Sequence, residues 1–179
     1  MNHSTYSYLQ KWLHAVSMII MVWLMSSGYY AALISRSVDV KGAISTFNVA
    51  LATLFAPVFF FRMYLSFGQG YADVFRSGDA MRYAAFLVHN LMYLTTCVVI
   101  VSGFLMMNRE IDMFGLFYLP VVITDLQLRG WISFSHTWGC CVLALLLVVH
   151  VAAVIKHQLA GKLILKGMFP KPFHVSTHQ

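Results

Sequence analysis

Charge is what this chain has least of. Of 179 residues only 10% are Asp, Glu, Lys or Arg, and just six are acidic, against roughly a quarter charged in an ordinary soluble domain. That scarcity excludes a water-facing globular surface. With 60% hydrophobic residues and a mean hydropathy of +0.74, the solvent is a bilayer. Cysteine is also scarce. Cys97, Cys140 and Cys141 all fall inside apolar stretches, and adjacent helical thiols point about 100° apart, so they read as small packing residues and not as a disulfide framework. Pro170 and Pro172 block helix continuation into a short polar tail carrying His174 and His178, to which no function is assigned.

What is present is apolar length. Four stretches stand out, residues 12–34, 43–67, 83–107 and 131–159, each matching the roughly 20–25 residues needed to cross about 30 Å of hydrocarbon. The predicted fold is an all-α membrane protein, a four-transmembrane-helix bundle forming a single domain over residues 1–179. The first stretch exceeds the 7–15 apolar residues of a signal peptide and reads as a retained helix. Arg62 lies close enough to the end of the second for its side chain to snorkel to the interface. The eleven Met and fourteen Phe read as lipid-facing or core filler. Trp12, Trp23, Tyr29, Tyr30, Tyr118 and Trp131 fit interfacial anchoring.

Basic residues near helix ends set orientation. Lys11, Arg62, Arg76, Arg82, Lys156, Lys162, Lys166 and Lys171 fall on the side of the termini, and Arg36, Lys41, Arg109 and Arg129 on the other. Eight against four predicts both termini in the cytoplasm. The net charge of +6 then needs only anionic lipid as its partner, and no nucleic acid.

Five histidines lie within the spans: His14, His89, His136, His150 and His157. An ionisable group in hydrocarbon must face the bundle interior and find a partner. His136 and His150 are fourteen residues apart, about 40° short of four full turns and about 21 Å along the axis. They share a face, one near each membrane surface, and so define two layers. Neutral imidazole is a good iron ligand, and bis-histidine haem suits electron transfer over oxygen chemistry. In the layer of His150, both His14 and His89 come within reach of the same iron. In the outer layer the residue at the depth of His136 is Asn48, and no histidine faces it.

These residues resemble the bacterial cytochrome b561 family of four-helix cytochromes, which includes di-haem superoxide:quinone oxidoreductases. The resemblance covers nearly the whole chain and implies a multi-pass protein of the bacterial inner (cytoplasmic) membrane. It rests on Leu13-His14, on His89 followed by Asn-Leu-Met-Tyr-Leu, on Gly103-Phe-Leu-Met-Met, on His136-Thr-Trp with His150-Val-Ala-Ala, and on the ending Lys162-Leu-Ile-Leu-Lys-Gly-Met-Phe-Pro170. It implies haem b ligated through iron by His14 and His150, with His89 and His157 near a quinone such as ubiquinone. His136 would hold a second haem. The chain departs from the family at helix 2, where Asn48 stands for a histidine fourteen residues before Arg62, and Ala52 for a small glycine. Asn is a poor iron ligand. The outer layer is therefore expected to hold no haem, a five-coordinate haem on His136, or a haem with a substitute ligand such as Met25, Met106 or Met107.

Three functions follow. The chain is an oxidoreductase passing electrons from a small donor such as superoxide to a membrane quinone, or a cytochrome subunit of a respiratory dehydrogenase. In the latter case the outer loop, residues 108–130, would dock a redox protein on the periplasmic side. The third reading is a haem-free transporter or assembly factor. The outer charges Arg36, Lys41, Arg109 and Arg129 are balanced by Asp39, Glu110, Asp112 and Asp125, whereas a surface collecting superoxide should be positive.

Overall fold

A computed structural model describes residues 7–77 and 80–161; the tail histidines and the 162–170 motif lie outside them. The chain forms α1 (Tyr8–Tyr29) continued by a π-helical turn (Tyr30–Ile34), α2 (Val38–Ser77), α3 (Ala80–Leu105), a hairpin of β1 (Ile111–Asp112) and β2 (Tyr118–Leu119), and α4 (Leu126–Leu159). All four helices are long and apolar enough to cross a membrane. Sequence neighbours pack side by side, and α3 against α4 most extensively.

Helix starts follow local chemistry. Ser7 caps α1 by accepting from the Gln10 amide at 3.2 Å while the Gln10 side chain accepts from the Ser7 amide at 2.9 Å, so two orphan amides are met reciprocally. Asp125 accepts from the Leu128 amide at 2.6 Å. That cap starts α4 at Leu126, five residues before the apolar run at 131, because a capping carboxylate, not hydropathy, sets a helix start. α2 carries Pro57 in its interior, which removes one ladder hydrogen bond, yet the helix continues with Phe55 and Phe59 buried on either side of it.

Large apolar side chains face outward, among them Leu145 and Val148 on α4, each 65% exposed. That is the inside-out pattern of a surface solvated by lipid. Two small clusters are buried. Phe55, Phe59 and Tyr93 pack α2 on α3 toward the end of the bundle where α1 begins, called here the terminus end. At the opposite, hairpin end, Val49, Ala50 and Met107 close over Ile111 and Met113. The hairpin turn places Phe114 and Gly115 in the left-handed region, with φ of 58° and 75°. The Asp112 carboxylate accepts from the Gly115 amide at 2.6 Å, and the turn drives Ile111 and Met113 into the bundle.

α3 and α4 approach closely because both present small residues. A Cβ on Gly139 would meet Val99 at 3.0 Å, and one on Gly103 would meet His136 Cε1 at 3.0 Å. Such contacts replace the hydrophobic driving force that lipid does not supply.

Candidate functional site

Near the terminus end a cavity of about 340 Å3 opens between the helices. α1 contributes His14, Ser17 and Met21; α2 contributes Phe59 and Arg62; α3 contributes His89, Tyr93 and Thr96; α4 contributes Leu147, His150 and Val154. Three of the five histidines singled out in the sequence thus meet around one space. His89 and His150 lie with ring centres 4.9 Å apart. Arg62 Nη2 donates to His14 Nδ1 at 2.7 Å, and its guanidinium sits 5.5 Å from the Tyr93 ring centre, a cation–π separation.

Arg62 corrects the expectation of a snorkelling side chain. It turns into the bundle because an intramembrane cation is stabilised best by partners there, and His14 and Tyr93 supply them. A smaller pocket of about 60 Å3 adjoins the cavity at the terminus end, lined by Gln10, Lys11 and Ser66 together with His14, Arg62, His89 and Tyr93. The site is therefore apolar in depth and polar at its mouth.

His157 is not among the residues lining the cavity and lies half-buried in the last turn of α4. The cavity-facing sector of α4 runs from His150 through Leu147, Val154 and Gln158 to Val151 and Ile155. At 100° per residue His150 marks one edge of that sector, and His157 falls about 20° beyond the edge.

The outer pair is arranged differently. Asn48 Oδ1 accepts from Ser27 Oγ of α1 at 2.9 Å. His136 Nδ1 lies 3.1 Å from the Val99 carbonyl and 3.2 Å from Ser102 Oγ, both on α3, and Cys140 Sγ lies 3.6 Å from His136 Nε2. A proton on Nδ1, donated to the carbonyl, leaves Nε2 to accept weakly from the thiol. Of the three methionines considered as substitute ligands, Met107 is buried in the apolar cluster with Val49 and Ile111, while Met25 and Met106 are half-buried.

The terminus-end cavity suits a haem. Imidazoles face it from three helices, its inner walls are apolar, and Thr96 Oγ1, in a residue only 4% exposed, has no hydrogen-bond partner. A buried hydroxyl without a partner calls for an occupant to meet it. Sequence reasoning missed Arg62, Tyr93 and Thr96 as site residues. Arg62 carried a signal, a charge within an apolar span; Tyr93 and Thr96, four and seven residues after His89, share its face of α3.

A comparison with curated proteins finds no match. Residues 5–171 match the family described as prokaryotic cytochrome b561, which binds b-type haem for electron transfer in membranes. With four membrane-spanning helices and inward histidines at one end of the bundle, the chain belongs to the prokaryotic cytochrome b561 family.

Proposed function

We propose that the chain is a quinone-linked membrane cytochrome in which His14 and His150 ligate a b-type haem and His89 serves the adjoining quinone. The observation that carries this reading is the convergence of His14, His89 and His150, with Arg62, on one cavity. His14 is taken over His89 as the second ligand on the family resemblance carried by Leu13-His14.

Held by His14 and His150, haem would supply a reversible one-electron carrier. The chain's own residues do the rest. Phe59, Leu147 and Val154 exclude water from the cavity walls, and Arg62 and Lys11 at its polar mouth would offer cations to the carboxylates of a haem held there. Reduction of a quinone to quinol takes two electrons and two protons. His89 reaches both the cavity and the mouth, and from there it donates a hydrogen bond or proton to a quinone oxygen. His157, off the cavity beside Lys156, is a proton source at the same end. With superoxide as donor, the activity is that of a superoxide:quinone oxidoreductase.

The test uses purified protein in detergent. The dithionite-reduced haem should be reoxidised by a short-chain ubiquinone, and His89→Ala should slow that reoxidation at least tenfold while keeping the visible spectrum. Unchanged reoxidation in the variant removes His89 from the quinone site; a colourless protein sinks the whole reading in favour of a haem-free role.

A further inference from the structure

We infer that this chain carries a single haem, in the layer of His14 and His150, and that His136 and Asn48 are helix-pairing residues. The inference rests on the haem reading above and concerns the layer that reading does not use. An outer haem needs a second ligand beside His136, and the residue at that depth on α2 is Asn48, a poor iron ligand. His136 is held against α3 through Nδ1 at Val99 and Ser102, with Nε2 3.6 Å from Cys140 Sγ of its own helix, and it is not among the residues lining the histidine cavity. The ring is pressed on Gly103, where even a methyl group would stand 3.0 Å from Cε1.

Asn48 does not face it. Its carboxamide is turned to α1, with Oδ1 on Ser27 and Nδ2 3.9 Å from where a Gly28 Cβ would stand. The next residues of α2, Val49 and Ala50, are buried under the hairpin by Met107, Ile111 and Met113. The same fold therefore treats its two layers oppositely. At the terminus end three histidines line a cavity in which a threonine hydroxyl is unpaired; at the hairpin end His136 is packed on α3 and the Asn48 carboxamide on α1.

The consequence is directional. His136 and His150 are about 21 Å apart along α4; without an outer haem, an electron entering at the hairpin end would have to cross that distance in one step. Electrons enter and leave at the terminus end, so donor and quinone meet the protein on the same side of the membrane. The chain is then not a transmembrane wire.

The test is haem stoichiometry on the purified full chain, by pyridine haemochrome and total iron, for the wild type, His136→Ala and His136→Gln. One haem per chain in the wild type, with an unchanged low-spin spectrum in whichever variant folds, is the expected result. Two haems per chain, or loss of half the absorbance in either variant, overturns the inference and leaves the cytochrome reading standing. No haem at all overturns that reading, and this inference with it. A membrane-impermeant reductant applied to oriented proteoliposomes should reduce the haem completely from the terminus side only; reduction from the hairpin side at an equal rate contradicts a single-ended path.

Discussion

Substituting Gly103 by Ala probes the α3–α4 seam at its tightest point. The new methyl carbon would stand 3.0 Å from His136 Cε1 and 3.3 Å from Nδ1, about 0.5–1 Å inside an ordinary carbon contact. The ring cannot easily retreat, because Val99, Ser102 and Cys140 hold it. Overpacking of this kind costs roughly 1–3 kcal/mol, and the gain from replacing a helical glycine offsets at most about 1 kcal/mol. Gly103→Ala alone should therefore be neutral to destabilising by about 2 kcal/mol. With His136→Ala as background the clash is gone and the same change should stabilise, by up to about 1 kcal/mol. The coupling between the two positions is then about 1–3 kcal/mol, or several degrees in Tm at about 2–4 °C per kcal/mol for a chain of this size. Thermal unfolding in mild detergent, followed by tryptophan fluorescence for the four variants of the cycle, measures it. Equal Tm shifts in both backgrounds would refute the packing of His136 on Gly103.

Two further predictions concern the cavity. Arg62→Leu removes a cation from the cavity mouth and should weaken haem retention roughly 10–100-fold, the usual effect of losing a hydrogen bond to a charged group such as a haem carboxylate; competition for haem by apomyoglobin reads this directly, and unchanged retention contradicts it. Thr96→Val swaps an unpaired buried hydroxyl for a methyl of similar shape. It should raise the stability of haem-stripped protein by roughly 1 kcal/mol or more, and the gain should vanish in haem-loaded protein if the occupant bonds the hydroxyl; a larger gain on loading is the opposite result.

Much of the architecture was legible because a bilayer demands long apolar runs, and the four runs are plain in the sequence. Helix boundaries were less so. The start of α4 depends on Asp125 and its bond to the Leu128 amide, a polar feature invisible to hydropathy. The fourteen-residue spacing of His136 and His150 placed both on one face of α4 and in separate layers, but periodicity could not say which ring would find open space and which would find α3. That is decided by Gly103 and Ser102 on α3, whose small size brings the backbone up to His136. Arg62 was misjudged for a related reason. Snorkelling and inward pairing are equally compatible with its position near the end of an apolar run, and only the location of His14 and Tyr93 decides between them. Asn48 was recognised as a departure from the family, yet its partner Ser27 lies on another helix and carries no spacing signal.

The central claim is that His150 holds the haem iron from α4. The visible absorption spectrum of His150→Ala, purified beside the wild type and normalised to protein, tests it most directly. Loss of the Soret and α bands, with a retained helical circular dichroism spectrum, is the predicted result. A variant with the complete wild-type spectrum would contradict the ligand assignment on which the proposed electron path depends.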